Sequence, residues 1–321
     1  MTTIAAVFPG QGSQSLGMLS DLASDSPLVA ETFAQASEVL SKDLWVMAQQ
    51  GPEADLNNTE NTQPLMLAAG VAAWRVWQSK NGCTPVIMAG HSLGEYTALV
   101  CADALDFSAA VELVAERGRL MQAAVPSGEG AMAAILGLED DAVIAVCAGA
   151  EQGQVVSAVN FNSPGQVVIA GNREAVERAC EAAKEAGAKR AIMLPVSVPS
   201  HCSLMSSAAD QLAQRLVDIN VREPVIPVIH NVSATALTKP DEIKQALVSQ
   251  LHSPVRWVES VLQMQALGAT KLIEFGPGKV LTGLAKRIDR RGLTAVCMQD
   301  SASMETALAY CEGEPNDGEK T

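Results

Sequence analysis

The stretch Ala89-Gly90-His91-Ser92-Leu93-Gly94-Glu95-Tyr96-Thr97-Ala98-Leu99 follows a short apolar run, Val86 to Ala89, and opens a helical pattern from Leu93 to Cys101. The apolar run fits a buried strand. Gly90 and Gly94 let the backbone pass closely at a sharp bend. Strand, tight turn and helix are the context that a nucleophile elbow requires, with Ser92 at the centre of G-x-S-x-G. Ser92 would then stand at a helix N-terminus, where free N–H groups favour negative charge. The N–H of Leu93 can point at an oxyanion.

The flanking sequence extends this reading. Ile4 to Phe8 is a second apolar run, closed by Pro9-Gly10, and helical patterns cover Pro64 to Gln78 and Ser108 to Ala124. Alternating strand and helix argue for an α/β fold with parallel strands. The loop Phe8-Pro9-Gly10-Gln11-Gly12-Ser13-Gln14 can supply a second oxyanion donor. No G-K-[ST] follows it, so it is not a phosphate loop. The character changes after Pro126-Ser127-Gly128-Glu129-Gly130. Strands are expected at Ala131 to Leu136, Val155 to Asn160, Gln166 to Gly171 and Arg190 to Leu194. Helices are expected at Asp140 to Ala148 and Arg173 to Ala186. That βαββαβ order is the ferredoxin-like arrangement. Residues 127–195 thus read as a small subdomain inserted into a discontinuous larger domain, 1–126 and 196–308, with a ligand cleft between them. Lys271 to Phe275 reads as a strand entering Gly276-Pro277-Gly278. Residues 309–321 read as an acidic, disordered tail.

Composition narrows the class. The chain has 321 residues, 48% hydrophobic but only 3% aromatic, so Ala, Val, Leu, Ile and Met must build the core. Its 22 Lys+Arg against 36 Asp+Glu give a charge of −14, which argues against a nucleic-acid partner. The seven cysteines lack paired spacing and read as reduced thiols of a cytoplasmic protein rather than a disulfide framework. The four histidines do not cluster at metal-ligand spacing. The N-terminus has no signal-peptide pattern, and no apolar run reaches the ~20 residues of a membrane span. A monomer is the default expectation.

A serine nucleophile needs a base. His91 would leave the turn in another direction, and spacing does not choose among His201, His230 and His252. Arg117 follows Val114 by three residues, near the buried side of its helix. Taken alone, it reads as an exposed ion-pair partner for Glu112 or Glu116. Basic residues cluster at Lys286-Arg287-Ile288-Asp289-Arg290-Arg291 and at Lys189-Arg190. On an acidic protein these are candidate docking points for an acidic partner.

FPGQGSQ from Phe8, NTQPLML from Asn61, GHSLGEYTAL from Gly90, ERGRLM from Glu116 and NFNSPGQVVIAG from Asn160 occur in this order. VPSHCSLM from Val198, HNVSA from His230, QLHSPVRW from Gln250 and EFGPG from Glu274 follow. Together they resemble the malonyl-CoA:acyl-carrier-protein transacylase family, nearly end to end from Ile4 to Leu308. The resemblance implies an α/β-hydrolase-like large domain with the inserted ferredoxin-like subdomain. It implies Ser92 as nucleophile, His201 as general base, and the carbonyl of Gln250 as the group orienting that histidine. It implies an oxyanion hole from the backbone amides of Gln11 and Leu93, Arg117 as holder of the malonyl carboxylate, and Asn160 as a further active-site polar residue. The implied reaction moves malonyl from malonyl-CoA to the phosphopantetheine thiol of acyl carrier protein, releases CoA, and feeds fatty-acid biosynthesis. It needs no tightly bound cofactor. The elbow is shared with serine hydrolases and thioesterases, so water is the rival acceptor. A non-catalytic carrier-binding protein of the same fold is the third alternative.

Overall fold

A computed structural model describes residues 3–196 and 198–311. Among the described residues, ten strands form two sheets. The strands are β1 (Ile4–Phe8), β2 (Ile87–Gly90), β3 (Gly130–Leu136), β4 (Val156–Ser163), β5 (Gln166–Asn172), β6 (Arg190–Met193), β7 (Val228–His230), β8 (Thr235–Leu237), β9 (Lys271–Phe275) and β10 (Thr294–Met298). The larger sheet has the order β10-β9-β1-β2-β7-β8. It is parallel except for the β7–β8 pair. The smaller sheet, β4-β5-β3-β6, is antiparallel throughout. Its element order is strand, helix, strand, strand, helix, strand, as expected for that segment.

Strand β1 shows why its sequence is apolar at every position. Ile4, Ala6 and Phe8 enter one core cluster, whereas Ala5 and Val7 enter another on the opposite face. Strand side chains alternate between faces, and a parallel sheet covered on both sides must be apolar on both. The few aromatics are concentrated rather than dispersed. Phe275 has Phe8, Trp74 and Trp77 at ring-centroid distances of 5.7, 5.4 and 5.5 Å.

Several expectations shift. The helix expected from Pro64 begins at Thr59, with Pro64 inside it. Its first turn is secured by the Asn58 side chain, which accepts from Glu60 N at 3.1 Å. Proline lacks an N–H and favours a helix start, yet here it sits inside the helix. Strand β4 runs to Ser163 rather than Asn160, across a register irregularity between Ala158 and Asn160. The cysteines are not all free thiols: Cys83 and Cys311 are joined across 228 residues of sequence. Spacing along the chain carries no trace of that proximity. The tail begins later than expected, because Ala309 ends the last helix and Cys311 is bridged. The rest of that tail, 312–321, lies outside the described residues. Among the described residues no helix is long and apolar enough to cross a membrane.

Candidate active site

Parallel pairing of β1 with β2 sets Phe8 opposite Gly90 and delivers both following loops to one end of the sheet. The N–H of His91 donates to Phe8 O at 3.0 Å. Neither elbow glycine can carry a side chain. A Cβ on Gly90 would lie 1.8 Å from the carbonyl carbon of Gly94, and one on Gly94 would lie 2.0 Å from Phe8 O. Ser92 sits in the bend at φ 53°, ψ −108°. A non-glycine residue in such a region costs about 1–3 kcal/mol, which the surroundings must offset. Asn231 does so from the loop after β7. Its Oδ1 accepts from Ser92 N at 2.7 Å and its Nδ2 donates to Gly90 O at 2.7 Å.

Of the four histidines, only His201 meets the Ser92 hydroxyl among the described residues. Its Nε2 is 2.8 Å from Ser92 Oγ, and its Nδ1 is 2.7 Å from the backbone O of Gln250. A carbonyl can only accept, so Nδ1 carries the proton and Nε2 is left to accept from the serine hydroxyl. His201 is 3% exposed. Burial, then the nearby Arg117 charge, lower its pKa to about 3. The ring is therefore neutral at neutral pH, with its Nε2 lone pair free to accept. His230 is buried too, but its Nδ1 contacts Glu95 Oε1 at 2.7 Å, away from the serine. His91 turns its Nε2 to Asn162 Oδ1 of β4 at 2.8 Å, tying the small sheet to the elbow.

Arg117 is not a surface ion-pair partner. The helix Phe107–Ala123 buries it to 1% exposure. Its Nη1 donates to Gln63 Oε1 and its Nη2 to Gln250 Oε1, both at 2.9 Å. Nη2 also lies 3.3 Å from Ser92 Oγ. The guanidinium carbon stands 5.4 Å from the Tyr96 ring centroid, a cation–π distance. Arg117 Nε has no partner among the described residues. Desolvation lowers the Arg117 pKa, opposed by the neighbouring Tyr96 and Glu95. Burial pushes the Tyr96 phenol up to about 12. The site thus holds a buried cation whose contacts are neutral oxygens.

The remaining candidates divide. Leu93 opens the helix Leu93–Cys101, so its N–H precedes the intrahelical ladder. Gln11 follows Gly10, whose added Cβ would meet His91 O at 2.5 Å, so this loop lies against the elbow. The loops after β1 and β2 thus bring both residues to one end of the sheet. Asn160 bridges to Val255, and its Oδ1 is buried without a partner among the described residues. Lys189, Arg190, Lys286 and Arg287 are exposed. Leu136 pairs with Gln166 on one side and Arg190 on the other, and Arg287 Nη1 donates to Gln166 Oε1. The two basic clusters therefore share one end of the small sheet.

Three contributors were not singled out beforehand: Gln63, Glu95 and Asn231. Each lies within a motif, NTQPLML, GHSLGEYTAL or HNVSA. The available signal was a polar residue amid apolar neighbours. It does not disclose what the side chain touches.

A family model described as an acyl transferase domain matches residues 6–300. The chain is 58% identical over 308 residues to a malonyl CoA-acyl carrier protein transacylase of Escherichia coli, covering 96% of this chain and 99% of that one. It resembles the structure of an acyl carrier protein S-malonyltransferase from Vibrio cholerae, with TM-score 0.93, 60% identity, and 95% and 99% of the two chains covered. It also resembles a malonyl-transacylase solved in complex with its type II PKS acyl-carrier protein, with TM-score 0.95, 57% identity, and coverage of 96% and 99%.

Proposed function

From the premise that this chain belongs to the malonyl-CoA:acyl-carrier-protein transacylase family, we propose that it moves a malonyl group from malonyl-CoA to the pantetheine thiol of a carrier protein, through a Ser92 acyl-enzyme. His201 Nε2 takes the Ser92 proton as Oγ bonds to the thioester carbon. The backbone amides of Gln11 and Leu93 receive the oxyanion. The carbon–sulfur bond breaks, and CoA leaves with the proton from His201. The carrier thiol then reverses the sequence, which is ping-pong chemistry. Gln250 orients His201 through its carbonyl, a neutral counterpart of a triad acid. Asn160, whose buried Oδ1 has no partner among the described residues, serves the acyl chain as a polar neighbour.

The observation that carries this reading is the buried guanidinium 3.3 Å from the nucleophile. A planar guanidinium binds a carboxylate through parallel N–H···O bonds. An acyl group without a carboxylate leaves that cation unmatched, and an uncompensated buried charge costs about 3–5 kcal/mol. When malonyl neutralises Arg117, the second cause depressing the His201 pKa is relieved, so the bound carboxylate strengthens its own base.

The architecture fits this division of labour. We read 1–126 and 196–308 as the α/β-hydrolase-like catalytic domain and 127–195 as a ferredoxin-like subdomain. Lys189, Arg190, Lys286 and Arg287 receive the acidic carrier. The protein acts as a cytoplasmic monomer feeding fatty-acid biosynthesis. Arg117→Ala should abolish selective malonyl transfer while uncharged acyl groups are retained or gained, with intact mass following the Ser92 adduct. Unchanged malonyl preference removes the assignment. Rapid release of malonate that is indifferent to carrier favours a hydrolase instead.

A further inference from the structure

Glu95 is a fully buried acid one turn beyond the nucleophile, and the chemistry above does not use it. It faces three nitrogens. Oε1 contacts His230 Nδ1 at 2.7 Å, and Oε2 accepts from Asn231 N and from Gln250 Nε2, each at 2.9 Å. The opposite end of the Gln250 amide, Oε1, accepts from Arg117 Nη2 at 2.9 Å. Gln250 Nε2 also donates to Ser92 O at 3.0 Å.

We propose that Glu95 is a positioning residue for acyl selection: it sets which way the Gln250 amide points, and thereby presents Arg117 to the malonyl carboxylate. The argument follows from donor and acceptor chemistry. A side-chain amide has one accepting and one donating end, nearly equal in shape. A carboxylate only accepts, so the donating end of Gln250 must face Glu95. Its oxygen is then aimed at Arg117, which only donates. Reversal would set an amide NH2 against the guanidinium. The amide dipole also runs from buried acid to buried cation, so Glu95 offsets part of the Arg117 charge without touching it and leaves the guanidinium short of a carboxylate of its own. His230 and Asn231 hold Glu95 from behind. The inference rests on the proposed role of Arg117.

The test is Glu95→Gln, which keeps shape and removes the obligatory acceptor. It is compared with the wild type, Gln250→Met and the double variant, using single-turnover acylation of Ser92 by malonyl-CoA and acetyl-CoA. Gln250→Met keeps the backbone carbonyl that holds His201. The expected result is a loss of malonyl-over-acetyl preference of about tenfold or more in E95Q, the scale of a lost hydrogen bond to a charged group. Q250M should lose preference similarly, and E95Q should add no more than about twofold in the Q250M background. An equal fall in both acylations by E95Q overturns the proposal, as does an undiminished further loss in the double variant. Should E95Q fail to fold, Q250M decides alone, because wild-type preference there excludes relay through the amide. A wild type that forms no Ser92 malonyl adduct would instead defeat the transacylase reading itself.

Discussion

Arg117 and Arg287 carry the same charge in opposite surroundings. Arg117 lies buried behind Ser92, held by Gln63 and Gln250. Arg287 is exposed on the helix Val280–Ile288 and reaches Gln166 at the rim of the small sheet. A buried cation cannot exchange its partner for water, so its value depends on one ligand at one geometry. An exposed cation acts through a field that salt screens over about 8 Å under physiological conditions. Under the proposed function, choice of acyl group would belong to the interior and encounter with the carrier to the rim.

The largest test of the contrast lies in the interior. His201→Ala removes the proton acceptor and should slow Ser92 malonylation by about 10²–10⁴-fold at every ionic strength, read by rapid quench and intact mass. A loss confined to low salt would place the effect at the surface instead.

A smaller effect concerns pH. An ordinary histidine titrates near 6.5, and at pH 5 such a base would be about thirtyfold depleted. The His201 pKa is lowered to about 3, first by burial and second by Arg117. The wild-type kcat/KM should therefore show no inflection near 6.5. Removing Arg117 lifts one depressing cause, so the acid limb for an uncharged acyl-CoA should move to higher pH in Arg117→Ala. A wild-type inflection at 6.5, or an unmoved limb in the variant, contradicts this electrostatic picture.

The smallest effect belongs to the rim. Charge reversal at Arg190 and Arg287 should raise the apparent KM for carrier by about tenfold at low salt. The effect should fade at high salt, with KM for malonyl-CoA nearly unchanged. Equal changes for both substrates would remove the docking role.

These regions also differ in how far sequence could reach them. The elbow was legible because its glycines, flanking run and helix are neighbours along the chain. Helical spacing placed Arg117 near the buried side, but its contacts come from Gln63 and Gln250, which no local pattern links to it. Spacing likewise left His201, His230 and His252 equivalent. The fold separates His201 from His230 by setting one against a carbonyl and the other against Glu95. The Cys83–Cys311 bridge was invisible for the same reason, because only the closed fold brings residues so distant together. The basic rim was readable as two clusters, but their shared position follows from strand register through Leu136.

The acceptor that steadies His201 is the main-chain oxygen of Gln250. Every amino acid a codon can specify carries that atom. Heredity can remove the amide of Gln250, and with it the hold on Arg117, but it cannot delete the anchor of the base by exchanging one side chain for another. A change of side chain at this position therefore reaches Arg117 far more directly than it reaches the anchor of His201.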